Sequence, residues 1–196
     1  MIEFNIKGVK LRFTFLFFWF FTLLFLLDRS GILLYGLLAA LIHEGGHILA
    51  FLLLHDRPEE ISFEIGGIRM VRRQHPISVA GELFQLMMGS VTNLLVFFLL
   101  LFSLKTVSRL SMFAVSHLFL GLFNLLPITS LDGGKIVQLL LEQRLGIRTA
   151  YVAGKVLSIA ICVFLALLGG YLYLTRQGGI SLLLAGVMLG LSSLKA

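Results

Sequence analysis

Six apolar runs, at residues 13–27, 32–54, 83–104, 110–126, 156–174 and 180–194, take up most of this 196-residue chain. Several approach the ~20 residues that carry a helix across ~30 Å of hydrocarbon, and the shortest lie at the lower limit. Hydrophobic residues make up 58% of the chain, charged residues only 13%, and mean hydropathy is +1.00. These values exclude an ordinary soluble domain. The expectation is an all-α polytopic membrane protein with about six transmembrane helices, forming one integral-membrane domain over 1–196. Its core is expected at 31–140, with accessory helices at 13–27, 156–174 and 180–194. The first run follows Lys7, Lys10 and Arg12 and precedes Asp28-Arg29-Ser30-Gly31, which has no small-x-small cleavage pattern, so it reads as a retained anchor.

Charge gives an orientation. With six spans, twelve of the 16 Lys and Arg residues fall on the side that holds both termini, among them Arg69, Arg72, Arg73, Arg144 and Arg148. The positive-inside rule then puts both termini in the cytoplasm of a multi-pass cell-membrane protein, with a bacterial cell expected. The net charge of +6 needs no nucleic-acid partner, because juxtamembrane cations face the anionic lipid of the bilayer. The single cysteine, Cys162, lies in the fifth run and reads as a packing residue.

The second run contains His43-Glu44-Gly45-Gly46-His47. A charged residue at the centre of a span costs at least ~2.5–3.5 kcal/mol, so three ionisable side chains in five positions read as a site. On a helix, residues four apart share a face. His43 and His47 can therefore aim ring nitrogens at one metal, with Glu44 beside them to take a proton from water. This is the HExxH spacing of zinc-dependent hydrolysis. Two histidines leave the ligand set short, because a catalytic zinc takes three protein ligands. The extended HExxHxxGxxH pattern fails at Ala50 and Leu53, and most of the ten carboxylates lie at span edges or in loops. Asp132 is the best third ligand, since Pro127 breaks the fourth run and Gly133-Gly134 allows a sharp return into helix. One Zn2+ per chain is expected, held by His43, His47 and Asp132.

Between the second and third runs, Ile61, Phe63 and Ile65 alternate with polar residues and are followed by Gly66-Gly67 and Ile68. This pattern predicts a β-hairpin or re-entrant element over about 61–73. Its edge, Ile65 to Ile68, is a candidate for holding an extended substrate by main-chain hydrogen bonds. Asn93, inside the third run, requires hydrogen-bond partners. His117, inside the fourth, reads as a hydrogen-bonded packing residue and not as a ligand.

These residues resemble the site-2 protease family of intramembrane zinc metalloproteases. The likeness rests on His43 to His47, the Gly66-Gly67 hairpin, Gly89-Ser90-Val91-Thr92-Asn93, and Asn124 to Gly134 around Leu131-Asp132-Gly133. Ser90 departs from the family's usual proline. The chain leaves no room for a PDZ or CBS domain, and so looks like the short branch that includes a sporulation protease of bacteria. The resemblance implies hydrolysis of peptide bonds in or near transmembrane segments of membrane-protein substrates, in regulated intramembrane proteolysis, with a regulatory membrane protein as a further partner. It also implies that Asn124 and Asn93 assist substrate or oxyanion. The alternative from another class is a non-catalytic zinc sensor or transporter using the same ligands.

Overall fold

The computed structural model describes residues 2–6, 8–28, 31–55, 58–64, 67–72, 78–103, 108–176 and 178–195. It divides into two compact units, Met1–Gly121 and Leu122–Ala196.

The first unit opens with two strands, β1 (Ile2–Ile6) and β2 (Val9–Phe13), and then α1 (Phe15–Leu27) and α2 (Ile32–Leu53). A second hairpin follows, β3 (Pro58–Glu64) and β4 (Gly67–Arg72), and then α3 (Val79–Ser103) and α4 (Ser108–Asn124), whose last three residues belong to the second unit. The four strands form one sheet in the order β1-β2-β3-β4. Both hairpins are antiparallel, whereas β2 and β3 run parallel, with Lys10 opposite Glu60 and Phe13 opposite Phe63. Parallel neighbours need a long crossover, and here the α1–α2 pair supplies it. The register is pinned by the Phe13 and Phe63 rings, stacked at 4.3 Å, and by Arg12, whose Nη1 donates to Glu60 Oε1 at 2.8 Å.

The hairpin expected at 61–73 is present, but it belongs to a larger sheet. The N-terminal pair was not anticipated, because Ile2 to Phe13 reads as a charged leader to the first span. Alternation of Ile2, Phe4 and Ile6, followed by Gly8 at φ +85°, is the signal that marks it.

Asp28 caps α2: its two carboxylate oxygens accept from Gly31 N at 3.1 Å and Leu33 N at 2.8 Å. The helix faces are then sorted by size. Buried on α2 are Ala39, His43, Gly46, Ala50 and Phe51, while Leu38, Leu41, Leu49 and Leu52 are exposed. Small and polar residues inside with large apolar residues outside is the arrangement that lipid favours, since chain-to-chain packing and hydrogen bonds hold the helices together there.

The second unit continues from the end of α4 through a loop to α5 (Asp132–Leu145), α6 (Ile147–Leu174) and α7 (Ile180–Lys195). α6 and α7 form a hairpin turned at Gly178 and Gly179, both at positive φ, and packed through small residues. Ser158 Oγ lies 2.7 Å from Ser193 Oγ and accepts from Thr129 N at 3.1 Å. Cys162 is buried in this seam, in keeping with a packing role.

Each of the six apolar runs is a helix, and three of them, α2, α3 and α6, are long and apolar enough to cross a membrane. α1, α4 and α7 have 13, 17 and 16 residues, so the expectation of six spans exceeds what length supports by three. The polar stretch from Pro127 to Lys155 holds all of α5, where a return into helix is expected at Gly133-Gly134, and the start of α6. The chain is a helical membrane protein with a small sheet.

Candidate metal centre

Within the first unit the site is built by α2, α3 and one residue of α4. On α2, one helical turn separates His43 from His47, and their Nε2 atoms stand 3.2 Å apart. Two nitrogens bound to one zinc at about 2.05 Å, with an angle of roughly 100–110° between them, stand about 3.1–3.4 Å apart. The pair is therefore spaced to share a metal. Glu44 follows His43 on α2 and is half-buried.

The facing helix α3 contributes three residues spaced by four, Gln85, Gly89 and Asn93, which lie along one stripe. The main-chain carbonyl of Gln85 accepts from His47 Nδ1 at 2.8 Å. A carbonyl only accepts, so the His47 proton sits on Nδ1, and Nε2 keeps its lone pair. A Cβ placed on Gly89 would lie 2.6 Å from His43 Nε2 and collide with His47 Nε2, so only glycine leaves room for the two ring nitrogens. Gly46 serves the helix pairing in the same way, because its Cβ would sit 2.6 Å from Met88 O.

Asn93 is fully buried and uses both arms of its amide. Its Nδ2 is 3.3 Å from His43 Nδ1, and its Oδ1 is 2.9 Å from His117 Nδ1. His117 is also fully buried, with its ring edge-on to Phe113 at 4.5 Å. It is hydrogen-bonded and packed, as its sequence context suggests. Its link to a histidine of the HExxH pair was not foreseen.

In the second unit, α4 ends at Asn124 and the chain folds over the start of α5. Ile128 is fully buried, and Leu131 N donates to Ile128 O at 2.8 Å. Cβ atoms on Gly133 and Gly134 would strike Leu125 O and Ile128 O, so the two glycines let this loop lie directly on the helix. Asp132 is the first residue of α5 and is only 7% exposed; Lys135 Nζ lies 3.4 Å from its Oδ1. Leu131 occupies the N-cap, so Asp132 is not the capping residue. Its carboxylate instead gains from the positive end of the helix dipole. Asn124 is half-buried.

Of the expected strand edge, Gly67 and Ile68 begin β4, which is an edge strand among the described residues. Ile65 and Gly66 lie outside the described residues.

Of the stripe Gln85, Gly89, Asn93, the sequence points to Gly89 and Asn93 but not to Gln85. Its first member works through its main chain, which residue identity does not reveal.

Compared with known proteins, residues 101–170 match the model of peptidase family M50. No curated protein matches the chain in sequence. Among solved structures, the fold is similar to that of the site-2 protease from Methanocaldococcus jannaschii. The TM-score is 0.71 and the identity 20%, over 99% of this chain and 94% of that one. The family match spans the Asn124 to Gly134 segment, and the histidine pair lies outside it, so the two halves of the motif are read from separate observations. The family match speaks for residues 101–170, and the structural likeness, at 20% identity, speaks for the fold.

Proposed function

We infer that this protein is an intramembrane zinc metalloprotease that hydrolyses peptide bonds within or near transmembrane segments of other membrane proteins, in regulated intramembrane proteolysis. The observation that carries the reading is the 3.2 Å approach of His43 Nε2 to His47 Nε2, with His47 fixed in a ligating tautomer by Gln85 O. Asp132 completes the ligand set. In support, His43, His47 and Asp132 each offer a ligand atom. Two imidazoles and one carboxylate are a donor set that zinc accepts, leaving a fourth position open.

When bound, zinc would acidify water and polarise a carbonyl. The remaining work falls to the chain. Glu44, one residue along from His43, takes the proton of the attacking water and returns one to the leaving amine. Asn124, at the broken end of α4, donates its amide N–H to the oxygen that gains charge, a contribution that grows in a site with little water. The outer edge of β4, starting at Gly67 and Ile68, offers unpaired main-chain groups to an unwound substrate. Unwinding is required because a helix occupies its own carbonyls in hydrogen bonds. Both termini lie in the cytoplasm in this reading, by the excess of Lys and Arg on their side.

The test is Glu44→Gln in the purified full chain. The variant should retain one zinc and lose cleavage of a model transmembrane peptide. Cleavage persisting in the variant overturns the assignment of the base, and zinc bound with no cleavage by the wild-type chain favours a sensor or transporter.

A further inference from the structure

Four close polar contacts run end to end through α2, α3 and α4. They join His117 Nδ1 to Asn93 Oδ1 (2.9 Å), Asn93 Nδ2 to His43 Nδ1 (3.3 Å), His43 Nε2 to His47 Nε2 (3.2 Å), and His47 Nδ1 to Gln85 O (2.8 Å). Asn93 and His117 are 0% exposed and His43 is 4% exposed. Only the last contact has a direction set by its chemistry, because a carbonyl oxygen cannot donate.

The first two can run in either direction, and the third is a hydrogen bond only when His43 Nε2 carries the proton. In one arrangement, Asn93 Nδ2 donates to His43 Nδ1. A neutral His43 then carries its proton on Nε2 and donates it to His47. Every contact of the chain is then a hydrogen bond, but a protonated Nε2 has no lone pair for a metal. In the other, the amide is turned by 180°, which exchanges Oδ1 and Nδ2 with almost no change of shape. Oδ1 then accepts from His43 Nδ1–H, both Nε2 lone pairs converge, and Nδ2 donates to His117 Nδ1, so the proton of His117 moves to Nε2. Nothing at the far end selects between them, since His117 Nε2 is buried without a hydrogen-bond partner.

His47 is thus backed by a one-way acceptor, and His43 by an amide that can face either way. We propose that Asn93 and His117 are positioning residues that make His43 a conditional ligand: metal loading turns the Asn93 amide, moves the His43 proton from Nε2 to Nδ1 and moves the His117 proton from Nδ1 to Nε2. Each imidazole keeps one proton throughout, so the change carries no net charge. The proposal rests on the metal reading of the site above, and it explains why a buried histidine that contributes no ligand is tied to one that does.

The test is on the wild-type full chain in detergent micelles, labelled with 15N-histidine, by long-range 1H–15N correlation without metal and with saturating Zn2+. Without metal, His117 should be protonated at Nδ1. With zinc, His43 and His47 should show ligation through Nε2, and His117 should be protonated at Nε2. Zinc ligation with His117 still protonated at Nδ1 overturns the relay alone. Absence of any zinc-dependent change at His43 and His47 overturns the metal reading, and the relay with it.

Discussion

Gly89→Ala tests the site with the least chemical change. The added Cβ would lie 2.6 Å from His43 Nε2 and 2.7 Å from His43 Cε1, with His47 Nε2 closer still. Ordinary contacts begin near 3.4 Å, so the overlap with His43 alone is about 0.7–0.8 Å, and misfits of this kind typically cost ~1–3 kcal/mol. The strain can be relieved only by swinging the imidazoles, because Gly89 is held in the middle of α3. Those rings are the proposed ligands, so the fold yields at the expense of the metal. The same ~1–3 kcal/mol charged against binding corresponds to roughly a 5- to 150-fold weaker zinc affinity. Alanine also improves helix propensity by ~0.5–1 kcal/mol, which offsets part of the cost to the metal-free fold. The expected outcome is a folded protein with zinc affinity lowered at least about 5-fold, measured by chelator competition and metal stoichiometry. Gly45→Ala is the control, because its Cβ would meet nothing within 4 Å and should leave affinity unchanged. Wild-type zinc affinity in Gly89→Ala would refute the claim that the gap over Gly89 belongs to the ligand pair.

Asp132→Asn should lower zinc affinity by more than the roughly 10- to 100-fold typical of losing an outer-shell partner, read by the same competition; a smaller effect removes Asp132 from the ligand set. Ser158→Val takes away the acceptor of Thr129 N and the partner of Ser193, so it should destabilise the protein by ~1–3 kcal/mol in detergent thermal unfolding. Zinc at 100 times its dissociation constant should stabilise the wild type by about 2.7 kcal/mol, and the gain should vanish in His47→Ala.

Much of this architecture is legible along the chain. The edges of α2 at Ile32 and Leu53 and of α4 at Asn124 fall where hydropathy and Pro127 put them. The strands β3 and β4 pair where the 61–73 hairpin is expected. The limits lie where polarity or pairing is not local. The segment from Asp132 to Leu145 is too polar to resemble a span, and the return into helix at Gly133-Gly134 carries no signal of its length, yet it is helical over 14 residues, with the backbone of the preceding loop laid over Gly133 and Gly134. The parallel pairing of β2 with β3 joins residues about fifty positions apart, and no period within either strand announces it.

His43, Glu44 and His47 are set by sequence alone, because a helix of 3.6 residues per turn must bring positions four apart onto one face. Their place within an apolar helix follows from the run around them. What surrounds the two rings is a matter of tertiary structure. Which carbonyl meets His47, which glycine leaves space for the ligand atoms, and which way the amide behind His43 can turn all depend on the register of α3 and α4 against α2. That register comes from close helix packing through small residues, and a hydrogen bond to a main-chain oxygen such as that of Gln85 leaves no mark on residue identity.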